Sequence, residues 1–198
     1  MRRSAGTDHL PFGVLGPAVD LAEDVVSNHY RFSESFWIDK GRWELKTLVD
    51  LKSREVTDHA LAQIIKYSGP AGTGHRSRDF YRICLQDHRL LAVSSGDELD
   101  LYPLLCYVVA HELIHVVRFA KHAQLFEAPE AARRDEELLV HELACRLLKP
   151  LDLNGAAPVF RFADPARPGL TMELTRRVET ARKGGLIKEE GANADLRV

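Results

Sequence analysis

The sequence predicts an α+β domain in which a small, mostly antiparallel sheet packs against one central, buried helix. Three observations carry this prediction. Hydrophobic side chains alternate over residues 80–86, with Tyr81, Ile83 and Leu85 on one face, which is the pattern of a half-buried strand. Residues 100–119 are apolar nearly all round, which is typical of a helix at the centre of a domain. Other segments repeat their apolar residues at helical spacing.

The remaining helices are predicted from apolar spacing and from residues that begin or end helices. In chain order, we expect helices over residues 17–26, 56–67, 100–119, 130–148 and 171–183. Pro17 is expected near the first turn of the first helix, because proline needs no hydrogen-bond acceptor there. Asp100 is of the N-cap type, and Pro150 ends the fourth helix.

The segments between these helices complete the predicted domain. Leu90–Val93 is expected to pair with the 80–86 strand as the second arm of a hairpin. The Gly- and Ser-rich residues 68–77 predict a connecting loop. A single domain then spans residues 1–186, and residues 187–198 are expected to be a flexible C-terminal tail.

Composition and charge exclude several classes of protein. The 198 residues are 45% hydrophobic and 28% charged, which argues against a wholly disordered or collagen-like chain. A net charge of −2 provides no electrostatic footprint for nucleic acid or a membrane surface, so neither is an expected partner. Three cysteines without a C-x-x-C pair fit a reducing, cytoplasmic setting. The apolar stretch Leu10–Val19 is broken by Pro and Gly and is not expected to be a signal peptide.

The central helix carries an H-E-x-x-H motif, His111-Glu112-Leu113-Ile114-His115. Histidines four residues apart lie one above the other on a helix, about 5–6 Å apart at Cβ, so both imidazoles can reach one zinc ion. Glu112 follows His111 and can take a proton from a water molecule that the metal activates. Burying two histidines and a carboxylate in an apolar helix without a metal would leave costly unsatisfied polar groups. The motif therefore predicts a zinc-dependent hydrolase.

A catalytic zinc ion needs a third protein ligand and an open position for water. His122 is out of register for the extended H-E-x-x-H-x-x-G-x-x-H pattern and is expected to be a surface residue. The next predicted helix offers three carboxylates, Glu136, Glu137 and Glu142, any of which completes the two-histidine, one-glutamate set typical of gluzincin peptidases. H-E-x-x-C at residues 141–145 is weak evidence for a second metal site, because a small buried thiol is the commoner explanation.

The segment Glu137–Pro150, ELLVHELACRLLKP, resembles the helix that follows H-E-x-x-H in the ImmA/IrrE-type metallopeptidases. The matching positions are Ala144, Leu147, Leu148 and Pro150, and this resemblance implies that Glu137 is the ligand glutamate. His141, four residues further on, is then expected to contact the site or to stabilise an oxyanion. The segment departs from the family at Leu143, where Phe is usual, and at Lys149, where Met is usual. The DNA-binding partner domain that often accompanies the family is not evident, so its regulatory role is not carried over.

The motif and the resemblance together predict a zincin-like metallopeptidase that cleaves peptide bonds of a peptide or protein substrate. The expected metal ligands are His111, His115 and Glu137, and the expected catalytic residues are Glu112 and His141. The oxyanion stabiliser stays open among His141, Tyr102 and Tyr107.

Three further possibilities follow from the same residues. The chain can be an inactive zincin-fold module with a structural metal, in which His141, Cys145 or His122 closes the fourth metal position. It can also be a zinc hydrolase that acts on a non-peptide amide. The edge of the 80–86 strand is a possible place for an extended substrate to pair, since backbone pairing binds a peptide with little sequence choice.

Overall fold

The computed structural model describes residues 9–68, 79–95 and 99–164, together with the backbone of 175–180. Its class is α+β, as expected. The helices of these ranges are α1 (Phe12–Tyr30), α2 (Glu34–Asp39), α3 (Asp87–Ser94), α4 (Leu101–Ala120), α5 (Glu130–Leu148) and α6 (Ala156–Phe162). The strands are β1 (Trp43–Lys46), β2 (Ala62–Ser68), β3 (Phe80–Leu85) and β4 (Thr175–Thr180).

The four strands form one mixed sheet in the order β1-β3-β2-β4. β2 and β3 are antiparallel, whereas β1 is parallel to β3 and β4 is parallel to β2. The prediction of a mostly antiparallel sheet is therefore wrong. Long connections separate the parallel partners, and a crossover that contains helices can return a strand in the same direction as its neighbour.

The strand predicted at residues 80–86 is confirmed as β3, but it lies inside the sheet. Residues Trp43–Lys46 of β1 pair with one side of it, and β2 pairs with the other. Its backbone groups are consequently used within the protein along most of its length. The suggestion that this strand offers a free edge to an extended substrate is therefore wrong.

Three segments adopt a different structure from the one predicted. The helix expected over 56–67 is wrong, because Ala62–Ser68 is β2. Leu61 to Ile65 are all buried in succession, Gln63 among them, and a strand that is covered on both faces lacks the alternation that would distinguish it from a helix. The expected hairpin arm Leu90–Val93 lies in α3, and such a four-residue apolar run is equally ambiguous.

The third difference lies near the C-terminus. The helix expected over 171–183 is wrong where the structure describes that segment, because Thr175–Thr180 pairs with β2 from Gln63 to Ser68. β-branched residues such as Val178 favour a strand once a partner is present. The predicted loop at 68–77 lies, apart from Ser68, outside the described residues, as does the predicted tail at 187–198. The single-domain boundary at residue 186 stays a prediction.

α4 is the centre of the molecule, as the sequence predicted. Every residue from Pro103 to Val117 is buried, and the helix contacts α1, α3, α5, α6 and β2. By length and composition alone it is long and apolar enough to cross a membrane, but 89% of its apolar window is buried inside the protein. The core helix of a soluble protein passes the same test, so this feature is weak evidence for a membrane span.

α1 is longer than the sequence predicted. It begins at Phe12, so Pro17 lies inside the helix and not in its first turn.

Candidate metal centre

The two histidines of the H-E-x-x-H motif lie one turn apart on the buried middle of α4. Their exposed fractions are 2% for His111 and 0% for His115. The ring centroids are 4.9 Å apart, and the two Nε2 atoms are 3.1 Å apart. Both rings therefore direct the same nitrogen toward one point, as their i, i+4 spacing predicted.

α5 brings one carboxylate oxygen to the same point. Glu137 Oε2 is 3.2 Å from Nε2 of His111 and 3.3 Å from Nε2 of His115. The Glu137 side chain is 20% exposed, so this corner of the group reaches solvent whereas the histidines do not. The three residues form a group that can hold a metal ion.

The charge of Glu137 suits it to be an anionic ligand. Burial acts to raise its pKa, but attraction to the His115 ring and the hydrogen-bond contacts with His111 and His115 outweigh that effect. The pKa of Glu137 therefore lies well below its usual range, and the carboxylate is ionised at neutral pH.

The other two acidic candidates of α5 occupy different positions. Glu136 accepts a bidentate pair from Arg118, with Nη2 to Oε2 at 2.8 Å, and its Oε1 lies 3.8 Å from Nδ1 of His115. Glu142 is exposed. Successive helical residues point about 100° apart. This rotation explains why Glu137 reaches the histidine Nε2 atoms while Glu136 lies on their outer side.

Tyr107 links the two histidines that come from different helices. Its side chain is fully buried one turn before His111. The hydroxyl oxygen lies 3.2 Å from Nδ1 of His111 and 2.8 Å from Nδ1 of His141. From the sequence, Tyr107 was expected only as one of three candidates for the oxyanion stabiliser. The i, i+4 spacing of Tyr107 and His111 was the available signal for a direct contact.

Glu112, which directly follows His111 in α4, is completely buried. Burial is the main cause that raises the pKa of Tyr107, and the negative charge of Glu112 adds to it. The same charge contributes to the raised pKa of Cys84 on β3, where burial is again the main cause. Glu112 is thus close enough to act electrostatically on both the Tyr107 and the β3 sides of α4.

His141 contacts Tyr107 and also lines a cavity. It is half-buried on α5, one turn after Glu137. Burial and the nearby His111 ring lower its pKa, so it is neutral at pH 7. The adjoining cavity of about 690 Å³ lies between α5 and α6. Its lining includes His141, Glu142, Cys145, Lys149, Phe160 and Asp164.

The remaining candidates lie away from the three ligand atoms. Cys145 contacts the His141 ring, with Sγ 3.7 Å from Nε2, and it does not belong to the metal-ligand group. His122 follows the end of α4, is exposed and has a positive φ of 55°, in agreement with the expected surface position. Tyr102 lies in the first turn of α4, where it hydrogen-bonds Cys106. Neither His122 nor Tyr102 belongs to the metal-ligand group that the described residues form.

Comparison with known proteins provides no relative. No family model, no curated protein and no solved structure matches this chain. The function of this protein must therefore be inferred from the geometry of the site and from the motif.

Proposed function

We propose that this protein is a zinc-dependent metallopeptidase. The observation that carries the proposal is the near-equilateral triangle of His111 Nε2, His115 Nε2 and Glu137 Oε2, with sides of 3.1, 3.2 and 3.3 Å. A tetrahedral zinc ion with ligands at about 2.0–2.1 Å requires neighbouring ligand atoms to be about 3.3 Å apart. The donor set of two imidazoles and one carboxylate is that of a catalytic zinc site.

Each site residue has a distinct role in the proposed reaction. His111, His115 and Glu137 would hold the metal, which when bound polarises a carbonyl group and acidifies a water molecule. Glu112 takes a proton from the attacking water and later delivers it to the leaving amine. His141 borders the adjacent cavity and is placed to hydrogen-bond the substrate. The H-E-x-x-H motif with a glutamate from the next helix supports a zincin, and the sequence of the α5 segment supports a resemblance to the ImmA/IrrE-type enzymes.

A catalytic metal is favoured over a structural one because the residues that could act as a fourth protein ligand have other positions or contacts. His141 directs Nδ1 to the Tyr107 hydroxyl, and His122 lies exposed beyond the end of α4. Cys145 lies beside His141 and outside the ligand group. None of these three residues joins the metal-ligand group that the described residues form.

The test combines metal analysis with one isosteric substitution. Purified protein should contain one zinc ion and should cleave a quenched fluorescent peptide library. Glu112→Gln should retain the zinc ion and lose turnover by at least about 10²–10⁴-fold, the usual contribution of a general base. Glu127→Gln, a change of the same kind at an exposed position, serves as the matched control.

Three outcomes would contradict parts of this proposal. Turnover by Glu112→Gln at the wild-type rate contradicts the role of the base. Zinc without peptide cleavage, but with cleavage of small N-acyl amides, identifies an amide hydrolase instead. Zinc without any hydrolysis favours the structural-metal module.

A further inference from the structure

One buried hydroxyl lies between two imidazole rings on different helices. Tyr107 is on α4, and its oxygen is within hydrogen-bond distance of Nδ1 of both His111 and His141. A phenol has one proton to donate. Only one of these two contacts can therefore use the Tyr107 proton, and in the other the oxygen must accept.

The proposed metal site decides which contact is which. His111 directs Nε2 toward His115 and Glu137, so Nε2 must keep its lone pair for a metal ion. The ring proton of neutral His111 is then on Nδ1, which donates to the Tyr107 oxygen. The Tyr107 O–H is left to donate to Nδ1 of His141.

This order fixes the tautomer of His141 as well. Since Nδ1 accepts from Tyr107, the single proton of a neutral His141 ring must lie on Nε2. Nε2 has the Cys145 sulfur 3.7 Å away, which is a weak acceptor, and the ring lines the cavity between α5 and α6. The N–H group is consequently available to a stronger acceptor that enters the cavity.

We propose that Tyr107 is a positioning residue that sets the protonated nitrogen of both His111 and His141, so that His141 presents Nε2–H to a carbonyl oxygen of the substrate. The proposal rests on the proposed function, because the order of donors starts from a metal ion on His111. It extends that function by joining a metal ligand on α4 to a substrate-binding group on α5 through a single hydroxyl.

The direct test is the tautomeric state of the histidines in zinc-loaded wild-type protein. Long-range ¹H–¹⁵N spectra distinguish Nδ1–H from Nε2–H rings, and they require no substitution. We expect His111 to carry its proton on Nδ1 and His141 on Nε2. A His141 ring protonated on Nδ1 would overturn the proposal, because the Tyr107 oxygen would then have to accept from both rings.

A second test removes the hydroxyl alone. Tyr107→Phe should weaken zinc affinity by about 10–100-fold, as loss of an outer partner of a ligand histidine does. It should also leave His141 as a mixture of tautomers. Zinc affinity is read by competition with a chromogenic chelator, and unfolding of the metal-free variant checks the fold. Tyr81→Phe is the matched control, because Tyr81 is fully buried and its hydroxyl makes no hydrogen bond to the described residues.

The effect on turnover separates positioning from general stability. His141→Ala and Tyr107→Phe should each lower kcat more than they raise KM. Apart from the loss of zinc affinity that Tyr107→Phe causes, the double variant should lose little more turnover than His141→Ala, since Tyr107 acts on the substrate through the Nε2–H donor that His141→Ala removes.

Failure of the inference can be distinguished from failure of the proposed function. If Tyr107→Phe binds zinc as the wild type does and leaves the His141 tautomer unchanged, the inference is wrong while the metallopeptidase proposal stands. If wild-type protein binds no zinc at His111, His115 and Glu137, the proposed function is wrong and the inference falls with it.

Discussion

The ion pair beside the metal centre should be one of the strongest single determinants of stability in this protein. Arg118 on α4 binds Glu136 on α5 through two hydrogen bonds, Nε to Oε1 at 2.5 Å and Nη2 to Oε2 at 2.8 Å. The Glu136 side chain is 3% exposed and that of Arg118 is 18% exposed. Because the pair joins the helices that supply His115 and Glu137, it also sets their separation at the metal site.

The magnitude follows from the burial of the glutamate. Removing one partner of a buried pair costs about 3–5 kcal/mol, because an uncompensated charge stays in the interior. Arg118→Met should therefore lower the free energy of unfolding by roughly 3 kcal/mol, the lower end of that range, since Arg118 retains some solvent contact. For a chain of this size a loss of 1 kcal/mol lowers the midpoint of thermal unfolding by about 2–4 °C, so Arg118→Met should lower that midpoint by about 6–12 °C.

The double variant Arg118→Met/Glu136→Leu makes the test sharper. Replacing a whole buried pair with apolar residues of similar volume is often neutral, so the double variant should regain most of the loss. Urea unfolding of metal-free protein measures the two single variants, Arg118→Met and Glu136→Leu, and the double variant. Arg134→Met is the matched control, because Arg134 and Glu130 form an exposed pair on the same helix and should contribute less than about 1 kcal/mol. A double variant whose loss equals the sum of the single losses would refute the reasoning.

Three further predictions concern the ligand, the acid range and the core. Glu137→Gln should weaken zinc affinity by more than about 100-fold in chelator competition, whereas Glu142→Gln should not; the reverse result would identify a different third ligand. Burial acts to raise the pKa of Glu55, but hydrogen bonds from Lys52 and Arg82 outweigh it and lower the pKa below 4.5. The ionised carboxylate therefore stabilises the folded protein above about pH 4.5, and this stability is lost as the pH falls through the pKa of Glu55 in the folded protein. Glu55→Gln should therefore make the urea midpoint of unfolding depend less on pH between about pH 6 and pH 3. Leu113→Ala, at a fully buried position between the motif histidines, should cost about 2–5 kcal/mol in the same urea assay, and a cost below about 1 kcal/mol would contradict the close packing of α4.

The candidate site was more predictable from the sequence than the sheet was. The motif spacing on a helix fixes the relative position of His111 and His115, because i, i+4 geometry is local. The third ligand could not follow from local geometry, since the position of Glu136, Glu137 and Glu142 relative to the histidines depends on how α5 is rotated and placed against α4. The resemblance placed the ligand at Glu137, and the structure brings that carboxylate to both histidines.

The sheet depends on contacts between distant segments, which a periodic pattern does not contain. The segment that contains β2 was predicted as a helix because Ala60, Leu61, Ile64 and Ile65 recur at helical spacing. It becomes a strand where β3 and β4 supply backbone partners on both sides. Leu90–Val93 of α3 was predicted as a hairpin arm because this short apolar run follows closely after the strand at residues 80–86. The first residue of α3, Asp87, accepts hydrogen bonds from the backbone N–H groups of Leu10 and Leu48, which anchor the chain away from the sheet.

The face of α5 that carries Glu137 also explains how the metal centre and the cavity can act together. Glu137, His141 and Cys145 are spaced four residues apart and therefore follow one another along a single side of the helix. Glu137 contributes an oxygen to the ligand triangle, and His141 contacts Tyr107. His141 and Cys145 both line the cavity. A substrate held in the cavity would therefore lie along α5, with His141 between its binding site and the metal. In such an arrangement a substitution at Cys145 that enlarges the side chain should raise KM without changing zinc affinity, because it narrows the cavity one turn away from the ligands.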